Sequence, residues 1–295
     1  MIKTFIITKE HSGKCVRDYI RSVLGFSART LKNLKYNGKI TVDGKDALAN
    51  LILEEGMDLM LEFPDESSGT IAPENIPVDI IYEDDDFLAV NKPHGMPSHP
   101  SQNHRSGTLA NAVMYLYRDK PFVYRILTRL DIDTTGVVVI AKNAVFADAF
   151  QKSDIRKQYL AVCVGTPSPK KGTVDAPIGR AEGIIKRCVT ENGKPSLTEY
   201  EVLEEKNGLS LVRAVPVTGR THQIRVHMSH KGHAVLGDPL YAPQAGKNRF
   251  GLAGQCLHAK TVGFVHPRSG EYVEITSDLP GYFAEILEKL RKNQK

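Results

Sequence analysis

Two short stretches near the start of the chain carry apolar residues at helical spacing. Val16, Ile20, Val23 and Leu24 predict a first helix that Gly25 stops. Ser27 is placed to cap a second helix running to about Tyr36, whose wheel sets Leu31 and Leu34 on one side and Arg29, Lys32, Asn33 and Tyr36 on the other. Asn37-Gly38 ends that helix, and residues 39–42 read as a strand turning back at Asp43-Gly44. Residues 64–77, PDESSGTIAPENIP, lack any apolar period and are rich in Pro, Ser, Gly and acid, which marks a linker. The expected organisation is a small domain over 1–63, the linker, and a large domain over 78–295.

In the large domain, strands are expected at 87–90, 136–141, 157–164, 198–203 and 209–215, the last two joined as a hairpin through Asn207-Gly208. Helices are expected at 108–117, 144–152 and 221–231, the third stopped by Gly232. A final helix turns Phe283, Ile286, Leu287 and Leu290 inward and Lys289, Arg291, Lys292 and Lys295 toward water. Strands and helices mix without regular alternation. The expected fold class is α+β: a mixed, largely antiparallel sheet flanked by helices, preceded by a small unit of two helices and a β-hairpin.

Composition changes this picture little. The 295 residues are 41% hydrophobic and 25% charged, an ordinary globular balance. The longest strongly apolar stretch, 136–141, is far short of the ~20 residues a membrane-spanning helix needs. Lys3 and Lys9 surround a very short apolar run with no small-residue cleavage site, so no secretory signal is expected and the expected location is the cytoplasm. Cys15, Cys163, Cys188 and Cys256 form no C-x-x-C pair, which suits reduced structural thiols rather than zinc or disulfides.

Charge changes it more. The net charge is +5. Between residues 11 and 45, Lys14, Arg17, Arg21, Arg29, Lys32, Lys35, Lys39 and Lys45 stand against Asp18 and Asp43 alone. Such one-sided charge makes the first domain a candidate for a polyanionic partner, nucleic acid above all.

Candidate chemistry is narrowed first by what is missing. No G-x-x-x-x-G-K-[ST] loop, G-x-G-x-x-G after a strand, G-x-S-x-G elbow or H-E-x-x-H occurs, so ATP, NAD, a serine nucleophile and zincin chemistry lose support. His222, His227, His230 and His233 raise the question of a metal, but Gly232 interrupts their helix and Arg220 and Arg225 would repel a cation. His and Arg near a helix N-terminus after Thr218-Gly219 suit an anion better, and no metal is expected. The most informative stretch is TRLDIDTTG, residues 128–136, where Asp131 and Asp133 precede a buried strand. In an extended segment they share a face; in a turn one of them caps it.

This stretch resembles the H-R-L-D-x-x-T-S-G signature of the RluA/RluD family of pseudouridine synthases. Further blocks agree in order: Val90-Asn91-Lys92-Pro93 with Gly95 and His99-Pro100, Lys157-Gln158-Tyr159, residues 218–227 (TGRTHQIRVH), 237–241 (GDPLY) and Leu257-His258-Ala259. Thr128 and Thr135 depart from the pattern, standing where the family often has His and Ser. The N-terminal part, roughly residues 12–63, resembles an S4 RNA-binding domain.

The resemblance implies an isomerase of uridine within RNA, in which the C1′–N1 bond breaks, uracil turns over in place and C5 joins C1′. No cofactor is needed, because nothing leaves. Asp131 would be the catalytic carboxylate, acting at C1′ or at C2′, with Arg225 paired to it and Tyr159 stacked on the freed uracil. Arg129 would fill the stack vacated by the flipped base, while Arg220, His222 and Tyr241 would line the RNA cleft. Arg29, Lys32 and Lys35 would meet RNA phosphates. The implied partner is structured RNA, large-subunit ribosomal RNA before tRNA, bound by a monomer. Two other readings compete: a glycosidase using Asp131 and Asp133 as a carboxylate pair, and a non-catalytic RNA-binding or ribosome-assembly protein.

Overall fold

The structure, a computed structural model, describes residues 2–63, 71–180, 186–242 and 249–292, apart from the side chains of Arg29 and Arg249. The N-terminal unit comprises β1 (Ile2–Ile6), α1 (Val16–Asp18, widening into a π turn over Tyr19–Val23), α2 (Ala28–Asn37), β2 (Lys39–Val42), β3 (Lys45–Asp46) and β4 (Asp58–Glu62). Ser27 caps α2, its side chain accepting from Thr30 N at 3.0 Å. Leu34 is fully buried, while Lys32, Lys35 and Tyr36 lie outside. Asp43 and Gly44 turn the hairpin at φ 50° and 75°.

The unit holds more strand than its sequence signalled. β1 and β4 complete an antiparallel sheet in the order β1-β4-β2-β3. β1 is an edge strand with no buried residue, and only Leu59 and Leu61 of β4 are fully covered, so neither carries a strong apolar run. Of the expected linker, residues 64–70 lie outside the described residues. The remainder runs along α3 (Leu109–Leu116), where Asn111 donates to Ala72 O at 2.8 Å and accepts from Glu74 N on its own carbonyl at 3.0 Å.

The large unit continues with β5 (Asp79–Glu83), β6 (Phe87–Lys92), β7 (Arg125–Ile126), β8 (Thr135–Ala141), α4 (Ala144–Phe150), β9 (Arg156–Val164), β10 (Lys171–Asp175), β11 (Ile178–Arg180), β12 (Arg187–Val189), β13 (Leu197–Lys206), β14 (Leu209–Pro216), α5 (Gln223–His230), β15 (Leu257–Val265), β16 (Tyr272–Thr276) and α6 (Gly281–Arg291). Its main sheet runs β10-β13-β14-β9-β15-β8-β6-β5, with β7 added to β8 and β16 to β15. Within it only β15 and β8 pair in parallel. This is the expected mixed, largely antiparallel α+β architecture. β8 is buried at every position because Phe146 and Phe150 of α4 cover one face while Leu109 and Val113 of α3 cover the other. Burial on both faces is why its sequence is an unbroken apolar run.

Two expectations shift. α5 begins at Gln223 rather than residue 221, because His222 adopts a left-handed backbone (φ 59°) and forms the N-cap. In α6 the four predicted apolar residues pack on Val162, Leu209 and Leu211, but Arg291 pairs with Glu204 of β13, and Lys295 lies outside the described residues. Among the described residues no helix is long and apolar enough to cross a membrane.

The parallel pairing of β8 with β15 sets Gly136 against Ala259. Gly136 has φ +110°, and a Cβ there would stand 2.2 Å from Ala259 O. Gly136→Ala is therefore expected to destabilise the protein by at least about 2 kcal/mol, read as a fall in melting temperature. Alongside, buried His258 shares a 2.8 Å hydrogen bond between Nδ1 and Thr135 Oγ1, and burial pushes its pKa down to about 4. Between pH 6.5 and 4 the unfolded chain then binds more protons at this site than the folded chain. The contribution of His258 to stability is full above pH 6.5 and falls as the pH drops toward 4, which urea midpoints measured for the wild type and His258→Asn across that range would register.

Candidate active site

The candidate site is built on a turn, so the turn alternative holds for the two acidic residues. Thr134 N donates to Asp131 O at 3.1 Å, closing the loop between Leu130 and β8. Ser98 Oγ donates to Leu130 O at 2.7 Å, and Gln255 Nε2 donates to Thr134 Oγ1 at 3.0 Å. Beneath the turn lies fully buried Lys92, whose Nζ donates to the carbonyls of Pro93, Met96 and Ile132, each at 2.8 Å. Burial pulls Lys92 down to about 7 while Asp133 and Asp131 pull the other way. The three carbonyls favour the ammonium, because a neutral amine has only two protons to donate.

The turn gives the two carboxylates different partners. Asp133 faces His94 at 3.6 Å, whereas Asp131 Oδ2 accepts from Arg225 Nη1 at 2.8 Å, with His222 Nε2 at 3.9 Å. Asp131 and Asp133 thus have different partners, Arg225 with His222 for the first and His94 for the second. Arg225 projects from α5 and is itself held by Asp238, its Nε and Nη2 donating at 2.7 and 2.9 Å to the two oxygens of that fully buried carboxylate. Asp238 also accepts from Leu240 N and Tyr241 N at 2.9 and 3.1 Å. Burial works against the charge on Arg225, and the two carboxylates more than offset it, holding its pKa above the ordinary value.

A cleft of about 340 Å³ opens over Asp131, walled by Tyr159 of β9, Arg129, and the 218–222 turn with Arg220 and His222. Burial, with the charge of Asp131 adding to it, raises the Tyr159 phenol so that it stays neutral. His222 owes its place to its left-handed backbone. Burial lowers its pKa, and its Nδ1 lies 3.0 Å from the Tyr241 hydroxyl. Arg129 is exposed and has no hydrogen-bond or ion-pair partner among the described residues. Arg220 is also exposed, its Nε donating to Pro195 O at 3.2 Å.

The structure thus brings Asp131, Tyr159, Arg225, Arg129, Arg220 and His222 together. Tyr241 stands apart from the cleft. It is buried with its ring 5.2 Å from the Arg225 guanidinium and its hydroxyl accepting from Arg187 N at 3.0 Å, so it backs the site instead of lining it. Lys32 and Lys35 stand exposed on α2 of the N-terminal unit, and Arg29 is on the same helix. The other clustered histidines disperse. His227 is buried against Thr198 Oγ1 and Ala176 O, His233 meets Val164 O, and His230 is exposed. Among the described residues no group of three or more His, Cys, Asp or Glu is arranged to hold a metal. Sequence reasoning missed Asp238 and Lys92. Both sit in motif blocks, G-D-P and N-K-P, but an Asp or Lys in such a block gives no sign that its partner is an arginine or a set of carbonyls elsewhere in the chain.

The family described as RNA pseudouridylate synthase matches residues 86–230. An uncharacterized RNA pseudouridine synthase of Bacillus subtilis is 39% identical over 267 residues, 87% of each chain. The ribosomal large subunit pseudouridine synthase D of Pseudomonas aeruginosa is 36% identical over 277 residues, 88% of this chain and 86% of that protein. Among solved structures, human RNA pseudouridylate synthase domain containing 1 is similar with a TM-score of 0.59 at 28% identity, covering 75% of this chain and 97% of its own. Alike in sequence over most of their length, and with the matched stretch holding both Asp131 and its partner Arg225, these proteins and this chain share one family: it belongs to the RNA pseudouridine synthases, enzymes that isomerise uridine within RNA.

Proposed function

We propose that the chain converts uridine to pseudouridine in large-subunit ribosomal RNA, with Asp131 as the catalytic carboxylate. The observation that carries this reading is Asp131 at the floor of the cleft, bridged by Arg225 to buried Asp238 and facing Tyr159. The relative in Pseudomonas aeruginosa, a ribosomal large subunit pseudouridine synthase, supports ribosomal RNA as the substrate.

Breaking the C1′–N1 bond builds positive character on the ribose, which a carboxylate stabilises. Two routes start from the ionised group. Attack at C1′ gives a glycosyl ester and the uracil anion; removal of the 2′ proton gives a glycal. In either, uracil rotates and C5 bonds to C1′, breaking the Asp131 ester in the first route and returning the proton to C2′ in the second; the C5 proton is then lost and N1 takes up a proton. Tyr159 stacks on the detached ring and keeps it from water. Arg129, exposed beside the catalytic turn, takes the place of the flipped nucleotide, and Arg220 and His222 contact the RNA at the mouth. Residues 1–63 act as an S4-like RNA-binding unit, meeting phosphates through Arg29, Lys32 and Lys35, while Tyr241 supports His222 and Arg225 from behind.

Pseudouridine mapping by carbodiimide modification and primer extension, on RNA from cells lacking the gene, tests the reading. Wild type is expected to restore one or more sites in large-subunit RNA and Asp131→Asn none, with the rate in vitro falling about a thousandfold or more while the melting temperature is kept. Restoration by Asp131→Asn would overturn it. Asp238→Ala strands one face of a buried guanidinium, a loss of about 3–5 kcal/mol. It is expected to lower the melting temperature markedly, whereas Asp238→Asn should stay folded and lose more in kcat than in KM, as measured by single-turnover assays.

A further inference from the structure

The N-terminal unit is fixed to the large one by a polar latch. Asp148 of α4 accepts from Ser27 N at 3.0 Å and from Thr30 Oγ1, so one carboxylate caps the start of α2, and Lys152 donates to Gly25 O. Val145 of α4 packs against the N-terminal core. This contact leaves a groove of about 870 Å³ between α2 and the β7 region, with Lys32 and Tyr36 on one wall and Arg125, Ile126 and Leu127 on the other.

Ile126 and Leu127 also line the catalytic cleft, so groove and cleft share this wall. Lys157 also lines the cleft, on the same strand as Tyr159 and two residues away. No hydrogen-bond or ion-pair partner meets Lys157 among the described residues, and burial lowers its pKa. A desolvated ammonium without a partner on the wall of a cleft is matched by an anion supplied from outside. Farther along, Tyr36 is 68% exposed, with Lys35 Nζ 5.5 Å from its ring. An exposed ring beside lysines offers a base a stacking platform and its phosphate a counter-charge. Asp148, the acidic residue of the groove, is already engaged by α2.

We propose that the groove between α2 and β7 is the track for the RNA strand flanking the target uridine, with Lys157 binding a backbone phosphate on the cleft wall and Tyr36 stacking a base. The proposal rests on the reading of the cleft as the uridine site. It adds where the neighbouring nucleotides go and why the two units are latched: the track exists only while α2 is held on α4.

Photocross-linking of the full-length protein to a large-subunit ribosomal RNA transcript carrying random 4-thiouridine tests this without requiring turnover. Cross-linked peptides are expected from both the cleft (residues 128–133 and 218–225) and the groove (residues 32–37 and 123–127). Cross-links in the cleft but none in the groove would overturn the track and leave the uridine site standing. Cross-links in neither would overturn both. Binding to the same transcript supplies a second readout. Tyr36→Ala is expected to weaken it about tenfold or more. Lys157→Met should flatten the slope of log K against log salt by about one, and Lys157→Arg should restore it. An unchanged slope in Lys157→Met would mean that no phosphate is bound there, and the proposal would fail.

Discussion

The guanidinium of Arg225 is the interaction on which the site depends. It is 5% exposed and divides its donors between a carboxylate that never meets solvent, Asp238, and one that faces the cleft, Asp131. A planar fork suits this task, since one edge can be locked bidentately while the third nitrogen stays directed elsewhere. Asp238 is in turn satisfied by two backbone N–H groups and both arginine donors, so the pair is buried without an unmet charge. A lysine at position 225 would hold one carboxylate as a point charge and leave the orientation of the other open.

What Arg225 does from one side, the backbone does from the other. The turn bearing Asp131 is tied to Ser98, Gln255 and Lys92, which come from different segments of the chain, and its end is pressed against β15 through the missing side chain of Gly136. Thr128, where a relative would often carry a His, donates nothing to the cleft. Its hydroxyl accepts from Val139 N at 2.8 Å, and Thr135 spends its own on His258. Both departures from the family pattern thus serve the packing of β8.

The N-terminal unit shows how charge and architecture divide their work. Its basic residues give attraction that any polyanion would feel and that salt would screen. Direction comes from the latch at Asp148, which turns a basic helix into one wall of a groove beside the candidate cleft.

Much of this was legible in the sequence because it depends on local pattern. The cap at Ser27, the hairpin at Asp43-Gly44, the doubly buried run of β8 and the inward face of α6 each follow from residues a few positions apart, whose spacing decides which face is covered. Asp131, Tyr159 and Arg225 were nameable too, through motif blocks, although the spacing of Asp131 and Asp133 left open whether they act together. Only the tertiary structure decided that a turn gives them different partners, that Tyr241 lies behind the cleft, and that β1 and β4 complete the small sheet. It alone gave Asp238 and Lys92 their tasks. These depend on contacts between distant segments: Asp131 and Arg225 are 94 residues apart, Lys92 and Ile132 are 40 apart. A local pattern records whether a residue will be buried, but not which distant donor or carbonyl will meet it there, because that partner is chosen by the packing of the whole sheet.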